Sequence, residues 1–172
     1  MFFEIVQALF KRSTESDIRT YDAVILIDMQ CGFMNQLRQN TRSALIKNQQ
    51  SVIMVCRVAD IPICVLEYID HGETISKLTK KLKCVPRVKT IQKFHDDGFR
   101  DTELGSVLEN WGVRNILLMG INAEYCVKET AKSALKRGYS IMTAPGLISG
   151  SVHHDPTDCI KWYKQNGTLI QI

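Results

Sequence analysis

The stretch Asn115 to Gly138, N-I-L-L-M-G-I-N-A-E-Y-C-V-K-E-T-A-K-S-A-L-K-R-G, constrains this chain's fold more than any other. Ile116 to Met119 is a short unbroken apolar run, which is how a strand buried on both faces of a parallel sheet reads. Gly120 interrupts the run, and beyond Ala123 the period changes. Val127, Ala131, Ala134 and Leu135 recur at three- and four-residue spacings, and Gly138 stands where a helix C-cap belongs. A strand running straight into a helix is half of a crossover unit. Such units build parallel sheets covered by helices on both faces.

Cys126 falls in the first turn of that helix. Unpaired backbone N–H groups and the positive end of the helix dipole favour negative charge there. The position therefore predicts a thiol that ionises more easily than usual, beside N–H groups able to hold an oxyanion. The competing reading of any single cysteine is a small buried hydrophobe. Partners elsewhere in the chain must decide.

At 172 residues, with 45% hydrophobic and 23% charged residues, the chain has the size and balance of one soluble domain with a proper core. A formal charge of +4 is mild and lacks the concentrated basic stripe of a nucleic-acid binder. The six cysteines form no CxxC pair, which predicts reduced thiols and a cytoplasmic compartment. Residues 1–20 read as a helical extension ahead of a domain spanning 21–172. Phe2, Phe3, Val6, Leu9 and Phe10 make one face of a short helix, which predicts packing on its own domain or on a sister subunit of a homo-oligomer. Docking to a membrane or a protein through residues 2–10 is the alternative. The segment lacks the basic start of a signal peptide and is too short to span a bilayer.

Ala23 to Ile27 (A-V-I-L-I) is another buried-strand run, ending at Asp28. Thr41 to Ala59 reads as a helix, Ile61 to Leu66 as a strand, and Glu67 to Thr74 as a polar loop. Lys77 to Lys93 reads as an irregular basic segment with a solvated face. A loop at Phe94 to Arg100 and a helix at Thr102 to Asn110 precede the opening unit. Tyr139 to Met142 reads as a strand, Ala144 to Asp155 as a long loop, Pro156 to Gln165 as a helix and Thr168 to Ile172 as a terminal strand. The alternation predicts an α/β fold: three αβα layers around a doubly wound, mostly parallel, Rossmann-like sheet of about six strands, in the order 3-2-1-4-5-6. In that order the strand ending at Asp28 lies beside the strand leading to Cys126, so an acid meets the candidate nucleophile.

Three separated segments then resemble one known family. V-I-L-I-D-M-Q-C-G-F, K-F-H-D-D-G-F-R-D-T-E-L and L-L-M-G-I-N-A-E-Y-C-V are similar, in order and spacing, to the first-strand, lysine and nucleophile segments of the isochorismatase-like cysteine hydrolases. Nicotinamidases and N-carbamoyl amidohydrolases are among these. The resemblance implies Cys126 as nucleophile, Asp28 as general base and Lys93 as the cation completing a triad. It implies an oxyanion hole from the N–H groups of Asn122 and Cys126, next to a cis Ile121–Asn122 peptide. It places Gln30, Phe33, Phe99 and Tyr125 in the substrate pocket.

The chain also departs from that family. Where metal-dependent nicotinamidases carry D-x-H, it reads E-Y-I-D-H-G-E, with Asp70 and His71 adjacent. No metal and no other cofactor is therefore expected. His95, Asp96 and Asp97 form an acidic stretch that either edges the cleft or faces solvent. The leading expectation is a hydrolase cleaving a C–N bond of a small amide, ureido or carbamoyl compound through a thioester. The alternatives are vinyl-ether hydrolysis of an isochorismate-like acid, or a catalytically idle interaction protein that keeps the fold. Nucleic acid is not an expected partner.

Overall fold

A computed structural model describes residues 21–150 and 156–172. The helix expected within residues 1–20 lies outside the described residues. The strands are β1 (Ala23–Ile27), β2 (Ile63–Tyr68), β3 (Val88–Lys93), β4 (Asn115–Ile121), β5 (Ser140–Thr143), β6 (Ile148–Ser149) and β7 (Thr168–Leu169). The helices are α1 (Cys31–Met34), α2 (Gln39–Ala59), α3 (Ser76–Leu82), α4 (Leu104–Asn110), α5 (Cys126–Lys136) and α6 (Pro156–Asn166).

All pairings between these strands are parallel, in the order β3-β2-β1-β4-β5-β7, with β6 attached to the far end of β4. This is the expected doubly wound α/β sheet, with β7 in the outer place because it pairs with β5, whereas β6 pairs with β4. Every residue of β1 is buried, as a central strand covered on both faces requires. One face, carrying Ile25, Ile27, Leu66, Ile91 and Leu118, packs on Leu104 and Leu108 of α4, Val127 and Ala131 of α5 and Tyr163 of α6. The other, carrying Val24, Leu26, Val65, Leu117 and Met119, packs on Leu45, Val52 and Ile53 of α2 and Leu78 of α3. Three layers result, and the carboxyl ends of β1, β3 and β4 share one edge.

The basic segment expected to be irregular at Lys77 to Lys93 instead forms α3 and the edge strand β3. Leu78 and Leu82 give α3 its buried i, i+4 stripe, while in β3 only Ile91 and Lys93 are buried. At the far end the strand stops at Leu169, short of the expected Ile172.

Gly120 is what lets β4 approach β1 so closely. Its φ is +144°, and a Cβ there would lie 2.1 Å from the carbonyl oxygen of Ile27, its partner in register. Only glycine accepts both the angle and the contact. That contact sits one residue before Asp28 and six before Cys126, so it sets the spacing of the site.

Candidate active site

Asp28 follows directly on β1, with φ of +52° and its N–H donated to the carbonyl of Leu66 at 3.0 Å. Its side chain is 1% exposed. Lys93 ends β3, two strands away, a lateral distance of about 9–10 Å in a sheet. The lysine stem crosses the Tyr68 ring, with Nζ 4.4 Å from the ring centroid, and ends 2.8 Å from Asp28 Oδ2. Nζ also donates to the carbonyl of His95 at 3.1 Å. The contact with Asp28 is an ion pair without an aligned hydrogen bond. Neither carboxylate oxygen of Asp28 has a well-directed hydrogen-bond partner among the described residues.

Cys126 is the first residue of α5 and is 5% exposed. Its thiol lies against Asp28 and donates to Oδ1 of Asp96 at 3.3 Å. The structure thus brings Asp28, Lys93 and Cys126 together. The expected easy ionisation of the thiol does not hold. Burial first, then the carboxylates of Asp28 and Asp96, push the Cys126 thiol well above the ordinary range against the opposing pull of Lys93. Burial likewise pushes Asp28 above the usual carboxylate range, while Lys93 pulls it down.

The peptide bond between Ile121 and Asn122 is cis. The N–H groups of Ala123, Tyr125 and Val127 donate to the carbonyls of Ser149, Asn122 and Asn122. Those of Asn122 and Cys126 donate to no acceptor among the described residues. The turn between them is held from α6 by the hydroxyl of Tyr163, which donates to the carbonyl of Ala123 at 2.9 Å.

The four residues expected in the pocket fare differently. Gln30 is fully buried and committed to backbone: Nε2 donates to the carbonyls of Tyr68 and Gly72, and Oε1 accepts the N–H of Tyr68. Phe33 stacks on the His71 ring at 4.4 Å and meets Tyr68 edge-on at 6.3 Å. Phe99 is buried between the Tyr139 ring and the guanidinium of Arg137. Tyr125 is 46% exposed beside Cys126.

The depression nearest this chemistry measures ≈ 370 Å³ and is lined by Tyr68, His95, Asp96, Asp97, Arg100 and Glu129. Another, of ≈ 250 Å³, runs past Glu67 and Thr74 under α3. Both oxygens of Glu67 are taken there, by the Thr74 N–H and the Gln92 amide, a structural arrangement.

Sequence reasoning missed the residues that latch the loop after β3 onto α5. Thr130 Oγ1 accepts the Gly98 N–H at 2.9 Å, and Ser133 donates to Asp97 Oδ2 at 2.5 Å. Asp97 Oδ1 accepts the Phe99 N–H, and Thr102 donates to the Gly98 carbonyl at 2.6 Å. Thr130 and Ser133 sit on the buried face of α5 among its apolar positions, which was the one available signal. A polar residue on a core face needs a partner.

Comparison with known proteins agrees with this architecture. The Isochorismatase domain matches residues 22–155. Streptothricin hydrolase of Streptomyces noursei is 26% identical over 162 residues, 83% of this chain; the chain spans 64% of that protein's length. The nicotinamidase of Staphylococcus aureus superposes with a TM-score of 0.77 at 21% identity, over 88% of this chain and 98% of that one. N-carbamoylsarcosine amidase of Thermoplasma acidophilum superposes with a TM-score of 0.75 at 20% identity, over 87% and 95%. The family match begins at the residue before β1 and runs through every element that builds the sheet edge around Cys126, and by it the chain belongs to the isochorismatase family.

Proposed function

We propose that the chain is a cysteine-dependent hydrolase that cleaves a C–N bond of a small amide, ureido or carbamoyl compound through a thioester. The observation that carries this is the buried Asp28–Lys93 pair against the Cys126 thiol, beside two N–H groups with no acceptor among the described residues. The names of its relatives and neighbours, a hydrolase and two amidases, agree with it.

The resting thiol holds its proton, so attack and proton transfer go together. Sγ of Cys126 adds to the substrate carbonyl as Asp28 takes the thiol proton. The oxygen of the tetrahedral species accepts the N–H groups of Asn122 and Cys126. Collapse breaks the C–N bond, and Asp28 returns the proton to the departing nitrogen. Water then adds to the thioester with Asp28 as base, and that proton goes back to sulfur as the acid leaves. Lys93 opposes the effect of burial and so keeps Asp28 able to act as a base.

The test is incubation with a panel of small amides and ureido compounds, quenched and read by intact and peptide mass spectrometry. An acyl increment on Cys126 is expected. Cys126→Ala should abolish it, and Asp28→Asn should slow its formation by about 10²–10⁴-fold. Turnover that survives Cys126→Ala would overturn the proposal, and turnover of a vinyl-ether acid by that variant would favour the non-thioester chemistry instead.

A further inference from the structure

We propose that Asp96 is a specificity-determining residue that makes this site select cationic substrates over anionic ones. The inference rests on the reading of Cys126 as the reacting group and adds the charge class of what reaches it.

The rim carries both signs of charge, so the balance must be worked out by partner. Glu129 is neutralised by Lys132, 2.6 Å away. Arg100 is the cation of the depression and turns to Asp101 at 3.6 Å, and the His95 ring meets the same carboxylate at 3.1 Å. Asp97 is held by the Phe99 N–H and the Ser133 hydroxyl, which fixes its orientation. Deeper in, Lys93 is matched to Asp28.

Among the described residues Asp96, like Asp97, pairs with no cation, but of the two only Asp96 touches the thiol. That thiol is its one side-chain partner among them. Its backbone carbonyl accepts the Thr130 hydroxyl at 3.3 Å, so the residue is tethered to α5. A substrate carbonyl placed over Sγ puts its neighbouring substituents beside this carboxylate, at the wall of a ≈ 370 Å³ depression open to solvent. Asp28, behind the thiol, is compensated by Lys93 at 2.8 Å and adds little to the field of Asp96. An ammonium or another strongly N–H-donating group is attracted there, and a carboxylate is repelled.

The experiment reads charge at Cys126 without requiring hydrolysis. Protein is treated separately with 2-aminoethyl methanethiosulfonate, a cation, and 2-sulfonatoethyl methanethiosulfonate, an anion. In each, the cysteine thiolate attacks the sulfenyl sulfur, a disulfide forms and methanesulfinate leaves. Rates at Cys126 are taken by peptide mass spectrometry, with the exposed Cys31 and Cys84 as internal references. Both reagents need the same thiolate, so the thiolate fraction cancels in the cation-to-anion ratio. A unit charge about 5 Å away acts with opposite sign on the two reagents. Even at the dielectric of bulk water this predicts a ratio that falls about tenfold or more in Asp96→Asn. Glu129→Gln, which removes an already paired charge, should change it far less. A ratio that moves less than about twofold in Asp96→Asn overturns the proposal. If thioesters form on Cys126 while the ratio ignores Asp96, charge selection fails alone; if the ratio responds and no amide gives a thioester, the hydrolase reading fails alone.

Discussion

Replacing Lys93 by Met isolates the energetic role of the buried pair. The substitution keeps the length of the stem that crosses Tyr68 and removes the charge 2.8 Å from Asp28. Asp28, 1% exposed, is then a buried carboxylate with no cation, and breaking such a pair from one side costs about 3–5 kcal/mol. The variant has a cheaper way out: Asp28 takes up a proton. Burial already raises its pKa in the native protein, and without Lys93 to oppose it the shift grows. A folded-state pKa above the unfolded value of about 3.9 means the native state binds the extra proton. Stability is therefore lost as pH rises from the unfolded pKa toward the folded one, by up to about 1.4 kcal/mol per pH unit. The deficit therefore grows toward neutral pH, where the cost of a pair broken from one side, about 3–5 kcal/mol, is the expected scale.

The assay is urea unfolding of both proteins at pH 4, 5.5 and 7, followed by the fluorescence of Trp111 and Trp162. The gap should be small at pH 4, where only the lost contacts with Tyr68 and the His95 carbonyl remain, and should widen to several kcal/mol at pH 7. Adding Asp28→Asn to Lys93→Met should recover most of the neutral-pH loss, since a pair removed whole is far less costly than one broken. A gap that is flat with pH, or below about 1 kcal/mol at pH 7, refutes the reasoning.

Three further outcomes follow from the same geometry. Because the Cys126 thiol is raised, its alkylation by iodoacetamide should climb about tenfold per pH unit past the pKa of a peptide thiol, about 8.5, with no plateau there; a plateau at or below that pH contradicts the assignment. Gly120→Ala puts a Cβ against the Ile27 carbonyl at a φ that alanine avoids, and should cost about 3 kcal/mol or more in urea unfolding. A loss under about 1 kcal/mol would show that β4 can back away from β1. Tyr163→Phe leaves the Ala123 carbonyl unpaired and should lower stability by about 1–3 kcal/mol, with slower acylation of Cys126. Unchanged stability and rate would mean that α6 does not hold the turn before Cys126.

The layers of the fold were legible where hydropathy and burial carry the same sign. β1, the first four residues of β2 and Ile116 to Met119 of β4 are apolar runs because both faces are covered, and α2 and α5 show their stripes because one face is wet. β3 hid from the same reading. Of its six residues only Ile91 and Lys93 are buried, and a lysine scores as surface however deep it lies. The residue that obscured the strand is also the one that reaches Asp28. The hydrogen bonds from Thr130, Ser133 and Tyr163 were illegible for a different reason. Each closes a contact between segments 30 or more residues apart, and a local period holds no record of such partners.

Magnitudes explain why the helix start at Cys126 was legible and the upward shift of its thiol was not. A helix start stabilises a nearby anion by about 0.3–1 kcal/mol, less than one pKa unit. Burial acts over about 3–5 units and here works in the opposite direction, with two carboxylates in contact adding to it. The carboxylates come from β1 and from the loop after β3, so their effect appears only once the sheet is assembled. A thiol held in its protonated form is a poor target for stray oxidants and alkylating agents, because the thiolate is the reactive species. In the proposed mechanism it becomes a nucleophile when a carbonyl arrives for Sγ to attack and Asp28 accepts the proton in the same step. On that account the Asp28–Lys93 pair matters more to reactivity than the helix dipole does, and the position at the start of α5 serves to place sulfur and N–H groups on one side of the substrate carbonyl.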